Sequence, residues 1–195
     1  PGRVMSHQTV HEKPIFMGTA ARVPREKSDY FYGLHLVRPL IDLRKGRLSL
    51  TQELIDREKI VAPRVARFLN IRYFVVDPAY AKRGVPAFIE AVLPVDTVHH
   101  DRDYLVFRVR EPELPPLPEI IDPGAPESRL YFESGWSRPE MEGGWGYRWA
   151  DRIRSTLLLR RPHSKIREIE LELEPLAQTH QTVEFSWNGS LLGVA

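Results

Sequence analysis

The densest run of residues suited to recognition chemistry is Glu133-Ser134-Gly135-Trp136-Ser137-Arg138-Pro139-Glu140, followed by Trp145, Tyr147, Arg148 and Trp149. Three of the four tryptophans of the chain fall here. A flat aromatic face suits the C–H side of a sugar ring, while carboxylates and guanidinium groups take its hydroxyls. Trp136, Glu140, Trp145, Tyr147, Arg148 and Trp149 are therefore the candidate carbohydrate-binding residues. Gly143, Gly144 and Gly146 give the backbone the freedom to present them. The competing reading is that the tryptophans fill a small β-domain core and that Glu140 pairs with Arg148 or caps a loop. The need of small domains for large buried side chains weighs toward it. The residues alone leave both open.

Other chemistry has less support. His7 and His11 are four apart with Glu12 beside them, which on a helix would bring two imidazoles to one face as a zinc site requires. Pro14, Gly18 and Pro24 instead mark residues 1–28 as mostly loop, with a short strand near Val4-Met5. His99 and His100, adjacent on a strand, point to opposite faces. Glu168, Glu170 and Glu172 read as a solvated strand face, and Asp101 and Asp103 as turn residues. Gly143-Gly144 is not placed between a strand and a helix as a phosphate loop would be, and Ser134-Gly135 lacks the flanking glycine of a nucleophile elbow. The absence of cysteine excludes disulfides, thiolate metal sites and a cysteine nucleophile. No catalytic residue, metal site or cofactor is expected.

The elements that must position these residues follow from periodicity. Tyr30, Phe31, Leu34, Val37, Leu40 and Ile41 predict a helix over 29–43, capped by Ser28 or Asp29 and kinked or split at Pro39. Ser49 and Gln52 make a capping-box pattern. The helix behind it carries Leu54, Val61, Val65 and Phe68 on one face, admits a break at Pro63, and closes at Asn70 in a left-handed conformation. Ile71 to Val76 is short and almost wholly apolar, which predicts a strand buried on both faces, as in a parallel sheet. A helix over 86–93 and a hairpin of 95–100 with 104–109 about Asp101-Arg102-Asp103 follow. Six prolines between Glu111 and Pro126 predict a stiff linker. Beyond it, strands are expected at 130–132 and 155–160, along alternating Ile169, Leu171 and Leu173, along Val183, Phe185 and Trp187, and along 191–194 after the Asn188-Gly189 turn. The fold class is thus mixed, α+β or α/β: a small incomplete α/β domain over 1–110, a linker over 111–126, and an antiparallel, jelly-roll-like β-sandwich over 127–195, truncated as written.

The chain has 195 residues, 42% apolar and 28% charged, enough for a real core. A net charge of +2 with no basic cluster gives no footing for nucleic acid. No apolar run approaches the ~20 residues needed to span a bilayer. The chain opens on Pro1 rather than Met, so a piece of a longer protein is expected, with any targeting or spanning segment outside it.

Three phrases carry a family resemblance: Met5 through Ile15 continuing to Gly18 and Arg22-Val23-Pro24; Leu69 through Val76; and Gly135-Trp136 through Pro139-Glu140 with Arg148-Trp149. They resemble segments of large bacterial multi-spanning membrane proteins similar to lipid-linked-sugar glycosyltransferases of the protein-mannosyltransferase type, or their uncharacterised relatives. His7 stands where that pattern has an aromatic residue and Glu12 where it has glycine, so no role tied to that loop is carried over. The resemblance implies a segment following a membrane-embedded part of the same polypeptide, on the extracytoplasmic face of the cell membrane. The catalytic carboxylates of such proteins lie in the membrane part, so none carries over. In these relatives a strand usually precedes the first phrase, which would account for an α/β unit short of a strand.

The expected function is that of an accessory domain of a membrane glycosyltransferase-like protein, recognising a glycan or lipid-linked sugar. The alternatives are a structural or interaction module without ligand, and a glycoside-acting enzyme using a carboxylate pair. An exposed tryptophan shelf would distinguish the first, buried tryptophans the second, and two carboxyls facing across a cleft at about 5–10 Å the third.

Overall fold

In the computed structural model, which describes residues 25–78, 83–110, 121–159, 170–173 and 182–194, the first elements are α1 (Arg25–Gly33) and α2 (Val37–Arg44). The expected 29–43 helix is split, but not by Pro39. That proline sits in the first turn of α2, where a missing N–H breaks no intrahelical bond. The break is a γ-turn at Leu36, with φ 64° and ψ −51°, closed by the Val37 N–H donating to the His35 carbonyl at 2.7 Å.

The longest described helix, α3 (Gln52–Phe68), has its cap two residues after the expected one. The Thr51 hydroxyl, not Ser49, accepts from the Leu54 N–H at 3.3 Å, and the Gln52 amide turns to Asp56 at 2.7 Å. Pro63 is accommodated inside one continuous helix. The carbonyl it leaves without a helical donor belongs to Lys59, an exposed residue, within reach of water. Asn70 closes α3 at φ 54°. The Ile71 N–H donates to the Ala66 carbonyl and the Asn70 N–H to the Arg67 carbonyl, the paired bonds of a left-handed helix end.

The chain then enters a three-stranded antiparallel sheet in the order β1-β3-β2, with β1 (Tyr73–Val76), β2 (Val95–His100) and β3 (Leu105–Val109). This corrects the expectation of a parallel strand covered on both faces. β1 is an edge strand pairing antiparallel with β3. Val76 is buried, whereas Tyr73 and Val75 are 51% and 49% exposed. A four-residue apolar run fixes which side chains alternate, not whether both faces are covered. Helix α4 (Val85–Val92) leads into the β2–β3 hairpin. At its tip the Asp101 carboxylate accepts from the N–H groups of Asp103 and Tyr104 at 2.8 and 2.7 Å. Those bonds, with His99, lower its pKa to about 2.

A compact unit extends to residue 160. A 3-10 turn (Pro126–Leu130), β4 (Phe132–Ser134), β5 (Glu140–Glu142), β6 (Trp145–Tyr147) and β7 (Thr156–Leu157) belong to it. Leu130, Tyr131 and Phe132 share one core with Tyr30, Val65 and Phe107. The Tyr30 hydroxyl donates to the Leu130 carbonyl at 2.8 Å, and Lys27 pairs with the buried Glu133. Here strands pair as β4 with β7 and β5 with β6, both antiparallel.

The second unit, 161–195, contains the hairpin of β8 (Glu184–Trp187) and β9 (Ser190–Val194). Asn188 and Gly189, at φ 49° and 85°, form the expected tight turn. Leu171 and Leu173 are exposed, and 170–173 carry no strand. Alternation names the residues that would share a face but supplies no partner strand. The architecture is mixed α+β. His7, His11, the first phrase of the resemblance, Ile169 and most of the proline-rich stretch lie outside the described residues. No described helix is long and apolar enough to cross a membrane.

Candidate functional site

The β5–β6 hairpin builds the site. Gly143 and Gly144 both take positive φ, 58° and 87°, as a two-residue turn matched to strand twist requires. That turn sets the register: Glu142 opposite Trp145, Met141 opposite Gly146, Glu140 opposite Tyr147. Directly opposed residues share a face, and residues two apart along a strand do as well. Glu140, Glu142, Trp145 and Tyr147 therefore occupy one face, and Met141 and Gly146 the other.

The second face rests on the loop at 122–124. A Cβ on Gly124 would stand 2.5 Å from Met141 Sδ and 2.6 Å from Gly146 Cα, and one on Gly146 would overlap Asp122 Oδ1 and the Gly124 backbone. Two glycines thus let hairpin and loop approach backbone to backbone. Gly146→Ala is expected to destabilise the unit by about 1–3 kcal/mol through overpacking against main chain that has little room to yield. Urea unfolding followed by tryptophan fluorescence checks it; an unchanged midpoint would mean that the hairpin does not sit on the loop.

The first face is open. Trp145 is 78% exposed and Trp149 37%. Tyr147 is half-buried between them in sequence and meets Trp149 edge to face, ring centroids 5.3 Å apart. The Tyr147 hydroxyl donates to Glu140 Oε2 at 3.2 Å. Its pKa is raised, first by desolvation, then by the hydrogen bond to Glu140 and the charges of Glu140 and Glu142. The result is an aromatic strip bordered by two exposed carboxylates.

Two of the six predicted residues are committed elsewhere. Trp136 donates its indole N–H to the Thr156 carbonyl at 3.0 Å and packs edge to face on the buried Phe132 at 5.1 Å. Arg148 donates Nε to the Pro123 carbonyl at 2.9 Å, Nη1 to the Ser137 carbonyl at 2.9 Å and Nη2 to Ser128 Oγ at 3.0 Å. Its guanidinium lies 4.8 Å from the Phe132 ring centre. Burial, then the charge of Arg129, pushes its pKa down to about 10. These two hold the frame; Glu140, Trp145, Tyr147 and Trp149 make the open strip. Beside them the ladder continues: the Ser137 N–H donates to the Trp149 carbonyl at 2.8 Å, and the Asp151 N–H to the Gly135 carbonyl at 2.9 Å.

Glu142 belongs with the strip although sequence reasoning did not single it out. The signal was present: Gly143-Gly144 as a two-residue turn places Glu142 opposite Trp145. Among the described residues, no three His, Asp or Glu side chains gather as a metal-ligand group. No family model matches the chain, and comparison with curated proteins and with solved structures yields no match.

Proposed function

We propose that this chain is an accessory segment that binds a glycan or lipid-linked sugar through the open face of the β5–β6 hairpin. The observation that carries the reading is the exposure of Trp145 on the same face of the hairpin as Tyr147 and Glu140, with Trp149 continuing the strip. An exposed indole costs solvation unless a partner covers it, and an aromatic face with an adjacent carboxylate suits a sugar. The resemblance adds the setting: the extracytoplasmic face of the cell membrane, beside a membrane-embedded glycosyltransferase-like part of the same polypeptide. The jelly-roll-like sandwich belongs to the same proposal, and the antiparallel pairing of β4–β7, β5–β6 and β8–β9 is compatible with it.

The reading without a ligand needs buried tryptophans, which Trp145 does not satisfy. The glycosidase reading needs carboxyls facing across a cleft, whereas Glu140 and Glu142 project from one face of one strand.

Binding on so shallow a face is expected in the millimolar range, roughly −4 kcal/mol. Titration with a panel of oligosaccharides, followed by tryptophan fluorescence and NMR shifts, checks it. Trp145→Ala should abolish the response while leaving the unfolding free energy within ~0.5 kcal/mol of the parent, as for exposed positions generally. Silence from every glycan at millimolar concentration would overturn the proposal.

A further inference from the structure

We infer that the strip selects a glycan bearing free ammonium groups, a polymer of an unacetylated amino sugar, over neutral or anionic glycans; this rests on the carbohydrate-binding reading above. The argument is one of local charge. Glu140 and Glu142 lie on the same face as Trp145 and Tyr147, each carboxylate directly opposite an aromatic ring across the ladder. Arg148, the basic residue that adjoins Tyr147 in sequence, is turned inward onto Pro123, Ser128 and Ser137. The exposed Arg138, two residues before Glu140, and the exposed Asp151 and Arg152, just beyond Trp149, flank the strip in sequence, whereas Glu140 and Glu142 stand on its own face.

A neutral sugar would gain the stacking and the hydroxyl hydrogen bonds of such a face, the carboxylates included, but no pairing of opposite charges. An ammonium group gains twice. It is attracted to the electron-rich face of an indole or phenol, and it forms a charge-assisted hydrogen bond with a carboxylate at the rim of the same ring. A carboxylated sugar would meet like charge. The chain as a whole carries +2, so attraction of a cationic ligand cannot come from the overall field and must come from this face. Each contribution is modest at an exposed site, and together they amount to a preference on the order of fivefold to tenfold.

The test uses the full chain and three hexamers at equal ionic strength: N-acetylglucosamine hexamer, its fully deacetylated glucosamine counterpart, and galacturonic acid hexamer. NMR titration at pH 6 reads the dissociation constants. The glucosamine hexamer is expected to bind about fivefold to tenfold more tightly than the acetylated one, and the galacturonate not at all. Glu142→Gln, which keeps an acceptor oxygen but removes the charge, should weaken glucosamine binding several-fold and the acetylated hexamer by less than about twofold. Trp145→Ala should remove both. Equal or tighter binding of the acetylated or acidic hexamer overturns the charge selection and leaves the sugar-binding reading standing. No response to any hexamer overturns both. Hexalysine binding as tightly as glucosamine, insensitive to Trp145→Ala, would reduce the effect to unspecific polycation attraction and overturn the inference.

Discussion

Replacing Glu58 by alanine is expected to lower the unfolding free energy by about 3–5 kcal/mol, the range for breaking a buried charged network by removing one partner. Glu58 is 1% exposed, in the middle of α3. Its Oε2 accepts from the Leu36 N–H at 2.8 Å, and Oε1 lies 3.0 Å from His35 Nδ1 and 3.3 Å from Arg57 Nε. Leu36 is the residue in the γ-turn between α1 and α2, fully buried and at a positive φ that side-chain-bearing residues avoid. Such strain costs about 1–3 kcal/mol and persists only where surroundings hold it. Glu58 supplies the hold on the backbone, and the core supplies it on the Leu36 side chain. Glu58→Gln keeps an acceptor for Leu36 and should lose less, about 1–2 kcal/mol. Urea unfolding at pH 7 reads both. A loss below 1 kcal/mol for the alanine variant would mean that the turn stands without the carboxylate.

The same network predicts an acid limb. Desolvation by itself would raise the Glu58 pKa, but the hydrogen bonds from His35 and the Leu36 N–H, with the charges of His35 and Arg57, outweigh it and leave the carboxyl below its ordinary 4.5. A folded-state pKa below the unfolded one means that the contribution is present in full above about pH 4.5. It is lost as pH falls through the folded value. Stability of the parent should decline below that point, and Glu58→Gln should flatten the part of the decline owed to this group. An identical slope in the two proteins would assign the acid limb to other carboxylates.

Arg148→Ala is expected to cost about 2–3 kcal/mol, because hydrogen bonds to a charged donor are stronger than neutral ones and two main-chain carbonyls lose their donor together. Those carbonyls, at Pro123 and Ser137, belong to the two segments that seat the β5–β6 hairpin. Arg148→Lys should recover less than half of the loss, since an ammonium cannot span three acceptors laid out for a fork. Both variants should also blunt the proposed glycan binding, through a displaced hairpin rather than a lost contact. Amide shifts distinguish the cases: Arg148→Ala should move signals on both sides of the hairpin, Trp145→Ala only those near residue 145. Thermal unfolding unchanged in Arg148→Ala would show that the guanidinium decorates the hairpin rather than anchoring it.

The parts of this chain legible in the residues are those decided within a few positions. Asn70 ends α3 because asparagine tolerates the left-handed conformation and the partner carbonyls are its own helix's last. Asp101 turns β2 into β3 by accepting from amides two and three residues on. Asn188-Gly189 bends its hairpin because both central residues must adopt positive φ. Long-range packing decided the rest. Ser49 and Thr51 are both good caps, and nothing within the segment decides between them; in the fold it is the Thr51 hydroxyl that accepts from the Leu54 N–H. The Tyr73–Val76 run suits a covered strand or an edge, and only the sheet order makes it an edge. Trp136 and Trp145 are the same residue type in the same stretch. The Thr156 carbonyl and Phe132 ring draw one inward, and the register of a two-residue turn leaves the other in solvent. Side-chain chemistry defined what each residue could bind, but which residues stayed free to bind was settled by distant partners competing for them.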